Sequence, residues 1–188
     1  MRVDPALRQQ LIAAIPHLRA FARSLTRNPI YADDLVQDTL VRAWSRMDRF
    51  EPGTNFMAWV FTILRNHFYS QHRTKWREVE DVDGSYAHQM ACAPEQEARL
   101  DYADFERALN KLAPEQREAL LLVAAQGFAY EDAARICGVA QGTIKSRVSR
   151  GRARLAQLLS VEQLDDIGPD RVTRAAVDWQ GHSMHLNS

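Results

Sequence analysis

The chain holds 188 residues and 21.5 kDa, which suits one medium domain or two small ones. Hydrophobic residues make up 46% and charged residues 26%, close to globular averages, and this excludes disorder throughout. The net charge of +0, from 24 basic and 24 acidic residues, excludes no class of partner, because the charges are segregated along the chain.

Helical periodicity dominates, and no alternating strand run stands out. A first helix is predicted from Pro5 to Thr26, ending before Asn28-Pro29. Asn28 is placed to cap a second helix with Pro29 at its first position, running to about Asp48. The Pro-Gly pair in Phe50-Glu51-Pro52-Gly53-Thr54-Asn55 marks a loop. A third long helix is predicted from Phe56 to Trp76.

The stretch from Glu78 to Pro94 is acidic and weakly periodic, and reads as a linker. Helical signals resume from Asp101 to Leu112, then from Pro114 to Ala125, with Gly127 as the stop. Two shorter helices, Tyr130 to Cys137 and Gln141 to about Leu159, are separated by Gly138-Val139-Ala140. The tail from Val161 to Ser188 has a polar end and is expected to be poorly ordered.

Two stretches without acids carry the basic charge. Arg65 to Arg77 holds Arg65, Arg73, Lys75 and Arg77 with His67 and His72. Gln141 to Arg154 holds Lys145, Arg147, Arg150, Arg152 and Arg154. The segment from Tyr130 to Leu155 has the helix, glycine turn and second helix of a helix-turn-helix, whose second helix enters the major groove. Projected at about 100° per residue, Ile144, Val148 and Leu155 fall on one side. Lys145, Ser146, Ser149 and Arg150 fall opposite, free to meet DNA, with Arg147 and Arg154 flanking them towards phosphates. The plainer alternative is a solvated basic helix, against which the glycine turn and sorted faces argue. Gly151 sits at the edge of the packed face, a cost of ~1 kcal/mol against alanine unless a close contact offsets it.

On the third helix, Phe56, Val60, Ile63, Leu64 and His67 share a face that reads as core. Arg65, Tyr69, His72, Arg73 and Trp76 share the other, with Asn66 at its margin. Cations interleaved with aromatic rings suit unpaired nucleic acid, because rings stack on bases while cations meet phosphates. On the second helix, Val36, Leu40, Ala43 and Met47 form a buried stripe, with Asp34, Asp38, Arg42 and Ser45 opposite. Asp38 and Arg42 have the spacing of an ordinary i,i+4 ion pair worth a few tenths of a kcal/mol.

Enzyme chemistry finds little footing. His182 and His185 lack further metal ligands nearby, and no phosphate-cradling glycine loop or nucleophile elbow is present, so no metal and no cofactor are expected. Cys92 and Cys137 make no disulfide framework, which fits a reducing cytoplasm. Met1 leads into Asp4, Arg8 and Gln9 without an apolar stretch, so no secretory signal and no membrane anchorage are expected.

Taken together these segments resemble an extracytoplasmic-function (ECF, group 4) sigma factor of the sigma-70 family. Ala32-Asp33-Asp34-Leu35-Val36-Gln37-Asp38-Thr39 followed by Arg42-Ala43-Trp44 is similar to region 2.2. Phe56-Met57-Ala58-Trp59-Val60 and Ile63-Leu64-Arg65-Asn66 are similar to regions 2.3 and 2.4. Gly142-Thr143-Ile144-Lys145-Ser146-Arg147 followed by Arg150 is similar to region 4.2. Ile15 to Arg23 and Arg77 to Tyr86 look like the EcfG-type general-stress sigma factors of alphaproteobacteria. One departure is Ala140, where the family often has a serine that caps the recognition helix; Thr143 is a candidate to cap in its place.

The resemblance implies an all-α fold of two small helical domains joined by a linker. These are a sigma2-like bundle at residues 1–77, an acidic linker at 78–100, and a sigma4-like helix-turn-helix domain at 101–160; a tail follows at 161–188. It implies that Asp34, Gln37, Asp38 and Arg42 dock on the β′ clamp helices of RNA polymerase core (β′ and β subunits). The −10 element would be read by Phe50, Thr54, Asn55, Arg65, Asn66, Tyr69, Arg73, Lys75 and Trp76, with the Phe50 to Asn55 loop capturing a flipped base. The −35 element would be read as duplex by Thr143, Lys145, Ser146, Arg147, Ser149, Arg150 and Arg154. It further implies a NepR-type anti-sigma factor as a partner. A plain helix-turn-helix regulator would need only the last domain, and a sigma-like decoy would need no cationic recognition helix.

Overall fold

The computed structural model describes residues 4–78 and 104–159, with side chains through His72 in the first stretch. The acidic linker beyond Glu78, Cys92, His182, His185 and the tail lie outside the described residues. The chain divides into two compact units, Met1–Met90 and Ala91–Ser188. The described residues are helices and connecting turns, with no strand among them.

In the first unit α1 spans Pro5–Thr26, α2 Pro29–Ser45 and α3 Phe56–Glu78. Local signals set these limits. Asp4 accepts a hydrogen bond from the Ala6 amide at 2.9 Å, and Pro5 fills the first position, where no amide partner is needed. Asn28 Oδ1 accepts from the Tyr31 amide at 3.1 Å and starts α2. The second helix is shorter than its sequence pattern suggests. It ends at Ser45, and Met47–Arg49 form a single 3₁₀ turn that keeps Met47 buried.

The three helices pack pairwise around Leu18, Phe21, Leu35, Val60, Phe61 and Leu64, all nearly inaccessible to water. Phe21 and Phe61 stack with ring centroids 5.2 Å apart. Each such side chain contributes about 1.5–3 kcal/mol through burial. The core face of α3 is wider than the projected stripe, because α3 touches both α1 and α2. Phe61 and Phe68 are therefore buried beside the expected Phe56, Val60, Leu64 and His67, while Ile63 is only half-buried. On α2 likewise, Leu35 and Thr39 join Val36, Ala43 and Met47 inside, and Leu40 is half-buried.

In the second unit α4 covers 104–110, α5 Pro114–Leu120, α6 Tyr130–Cys137 and α7 Gln141–Leu159. The sequence pattern runs α5 on to Ala125, but Leu121–Ala125 instead form one π-helical turn, closed by the Gln126 amide on the Leu121 carbonyl at 2.9 Å. Ala119, Leu122, Ala133, Ile136, Ile144, Val148 and Leu155 make the core, and the Cys137 thiol is buried beside it. Gly138 ends α6 with φ +66°, a left-handed conformation that glycine adopts without strain.

A Cβ on Gly151 would lie 3.4 Å from the Gln116 carbonyl oxygen on α5, ordinary van der Waals contact, so the space would admit an alanine. The contact is not tight enough to offset the cost of a mid-helix glycine, and nothing else in the structure explains Gly151. The first turn of α7 is closed by backbone alone, the Thr143 and Ile144 amides reaching the Ala140 carbonyl at 2.9 and 3.3 Å. Ala140→Ser should therefore add a side-chain cap worth about 0.5–1 kcal/mol. A thermal melt should show a raised midpoint; an unchanged or lowered one would remove this helix end as a weak point.

Candidate nucleic-acid interface

The helix-turn-helix sorts its side chains as the projection predicts. Ile144, Val148 and Leu155 are buried on one side of α7. Lys145, Ser146, Ser149, Arg150 and Arg154 are exposed, and Thr143 and Arg147 are half-buried at the flanks. Among the described residues no acid lies on α7, so the exposed face is cationic. Two of its side chains are already engaged. Arg150 Nη2 donates to Ser146 Oγ at 2.8 Å and its Nε to the Ser146 carbonyl at 3.3 Å, while Arg154 reaches Gln157 at 3.3 Å. The fork of Arg150 thus lies along the outer face of α7, over Ser146.

The loop before α3 is built by the same residues that the resemblance assigns to base capture. Asn55 Oδ1 accepts from the Ala58 amide at 3.2 Å and so caps α3. Thr54 donates its hydroxyl to the Glu51 carbonyl at 2.7 Å, closing the turn in which Gly53 takes φ +87°. Phe50 meets Phe56 edge-on at 5.0 Å and Trp59 at 5.6 Å. Trp59, part of the motif similar to region 2.3 but not among the residues expected to read the −10 element, is half-buried in this cluster one turn from Phe56 and Asn55.

Along the outer side of α3, the Arg65 guanidinium lies 4.6 Å from the Tyr69 ring centroid. Asn66 is exposed beside them. His72, expected on this face, is instead half-buried, its ring 4.3 Å from Phe68 and 6.2 Å from Tyr31. The aromatic side chains around it draw the imidazole towards the seam with α2. The side chains of Arg73, Lys75 and Trp76 lie outside the described residues.

The outer side of α2 carries Asp34, Gln37, Asp38 and Arg42, all exposed. The sequence reading pairs Asp38 with Arg42, but the structure pairs it with α3. Asp38 Oδ2 is 2.9 Å from His67 Nε2, a pair that spacing along one helix cannot reveal. Nearby, burial first and the Asp38 charge second push the Tyr31 phenol above its ordinary range. Three large apolar side chains are also exposed here: Ile30 at 75%, Val41 at 68% and Trp44 at 43%. Ile30, Asp34, Gln37, Val41 and Trp44 fall within about 80° of helix projection, so they form one stripe. An exposed apolar stripe with acidic side chains suits docking on another protein.

One unit with a cationic helix-turn-helix and another with a partner-seeking apolar stripe define a DNA-binding protein that also docks on protein. Family comparisons agree in chain order. The family model described as Sigma-70 region 2 matches residues 11–78, and that described as Sigma-70, region 4 matches residues 102–155. The chain belongs to the extracytoplasmic-function RNA polymerase sigma factors of the sigma-70 family.

Over 181 residues it is 54% identical to the ECF RNA polymerase sigma factor EcfG of Rhodopseudomonas palustris, spanning 96% of this chain and 100% of that one. It is also 33% identical over 155 residues to the RNA polymerase sigma factor CnrH of Cupriavidus metallidurans, spanning 75% and 80% of the two chains. Among solved structures it is similar to the sigma factor RpoE of Bartonella quintana, crystallised with the anti-sigma factor NepR. The TM-score there is 0.76 at 54% identity, over 85% of this chain and 100% of that one. CnrH in complex with the cytosolic domain of CnrY follows at 0.62 and 30%, covering 84% and 90%.

Proposed function

We propose that this chain binds RNA polymerase core, directs it to promoters of the general stress response, and is held in check by a NepR-type anti-sigma factor. The chemistry of RNA synthesis belongs to the polymerase, and this chain supplies recognition in the cytoplasm. Residues 1–77 dock on polymerase and read the −10 element, and residues 101–160 read the −35 element, with residues 78–100 as the link. The cationic outer face of α7, set against its buried Ile144, Val148 and Leu155, is the observation that carries the reading.

The exposed stripe on α2 supports polymerase docking by Asp34, Gln37, Asp38 and Arg42. The Arg65–Tyr69 pair offers a ring for an unstacked base with a cation beside it, the combination that single-stranded DNA favours. Among the described residues no helix is long and apolar enough to cross a membrane. Run-off transcription with purified core polymerase tests the proposal: transcripts should start only when this chain is added. Binding to duplex without initiation would leave a plain helix-turn-helix regulator, and binding to the anti-sigma factor alone would leave a decoy.

A further inference from the structure

His67 is buried on α3 with its side chain only 6% exposed, yet its polar partner is the 57%-exposed carboxylate of Asp38 on α2. A carboxylate accepts only, so the ring nitrogen Nε2 carries the proton and donates to Asp38 Oδ2 at 2.9 Å. Gln71, one turn along α3, places its amide nitrogen 3.0 Å from the same ring nitrogen. The Gln71 amide oxygen in turn lies 2.6 Å from the Tyr31 hydroxyl. These four side chains form a polar line along the seam between α2 and α3.

With Nε2 protonated, the Gln71 amide nitrogen, itself a donor, cannot bond to it, so the acceptor at this ring nitrogen is Asp38. The link therefore satisfies a buried donor, and it has a consequence at the surface as well. What the link does is fix that carboxylate. A surface aspartate otherwise samples several rotamers, and ordering such a side chain at an interface weakens binding. His67 is itself held by the packed core, so it restricts Asp38 before any partner arrives.

We propose that His67 is a positioning residue for polymerase docking, holding the Asp38 carboxylate in the orientation that α2 presents to polymerase. This rests on the reading of the outer face of α2 as the polymerase-docking surface. The link also joins that surface to the helix whose opposite side carries Arg65 and Tyr69, so the docking face and the −10 face share one rigid α2–α3 seam.

The test uses the full chain and titrates purified core RNA polymerase against wild type, His67→Leu, His67→Gln, Asp38→Ala and the double variant His67→Leu/Asp38→Ala. His67→Leu should weaken core binding about threefold to tenfold, the loss expected from freeing one ordered side chain, and should leave binding to a −35 duplex unchanged. His67→Gln, which keeps a donor of similar reach, should restore most of the affinity. In the Asp38→Ala background, His67→Leu should add nothing further. If Asp38→Ala weakens core binding and His67→Leu does not, the positioning role falls while the docking face stands. If His67→Leu weakens binding equally with and without Asp38, its role is structural and the inference falls. If neither single change alters core binding, the docking reading itself is wrong. Should the leucine variant fail to fold, His67→Asn, too short to reach Asp38, replaces it with the same expected and overturning outcomes.

Discussion

Asp38→Arg should abolish productive binding to RNA polymerase core while leaving binding to −35 duplex intact. The side chain is exposed at the edge of the apolar stripe on α2, and a reversed charge inside a docked interface costs several kcal/mol, a hundredfold or more in affinity. The α7 face lies in the other unit and keeps its cations, so duplex binding by fluorescence anisotropy serves as the internal control. The partner of Asp38 adds a second, smaller effect. His67 loses its acceptor and gains a cation beside it, which should lower stability by about 1 kcal/mol in a thermal melt monitored by circular dichroism. Asp38→Asn separates the two effects, because its amide oxygen still accepts from His67 while the charge is gone. It should melt like wild type and still bind core more weakly. An Asp38→Arg variant that transcribes normally would make this face a solvated surface. One that unfolds would mean that the α2–α3 seam depends on this pair far more than an exposed carboxylate allows.

The contrast between expected and observed partners of Asp38 shows which features a sequence discloses. Helix limits are set by neighbours in the chain, so they are legible: Asn28 with Pro29 starts α2, Asn55 starts α3, and Gly138 stops α6. The sorted faces of α7 are equally legible, since one period of 3.6 residues decides them. Contacts between helices are not encoded at any fixed spacing. Asp38 and His67 are 29 positions apart, and only the packing of α2 on α3 brings them to 2.9 Å. Likewise the burial of Phe61 and Phe68 follows from α3 touching two neighbours.

Loop residues show the same limit from another side. Phe50, Thr54 and Asn55 were singled out through resemblance to a base-capturing loop. Their local roles are a ring cluster, a turn hydrogen bond and a helix cap. The two kinds of role are compatible. A loop that captures a base needs a fixed shape beforehand, and Asn55 capping α3 and Thr54 closing the turn supply it. The apolar stripe on α2 was legible in principle, because Ile30, Val41 and Trp44 fall on one projected face with Asp34 and Gln37. The charged residues of that face carry the resemblance to region 2.2, which assigns no separate role to Ile30, Val41 or Trp44.

Arg150→Ala should weaken binding to the preferred −35 sequence by about 1–3 kcal/mol and relax selectivity at one base pair, the loss expected when a bidentate arginine–base contact is removed. The structure gives this a specific form. The Arg150 guanidinium lies along the exposed face, held by the hydroxyl and carbonyl of Ser146, so its fork is already ordered where the major groove would pass. Three N–H donors, two on Nη1 and one on Nη2, remain to meet a guanine edge from that position. Arg147 differs, being half-buried at the flank of α7, and its proposed role is a phosphate contact. Arg147→Ala should therefore weaken all duplexes alike and flatten the salt dependence of log K by about one unit. Anisotropy titrations of both variants against a matched and a single-base-substituted duplex, at several salt concentrations, distinguish the two roles. Equal loss of selectivity from both changes would mean that the outer face of α7 reads bases across its whole width. A larger salt effect from Arg150→Ala than from Arg147→Ala would exchange their assignments.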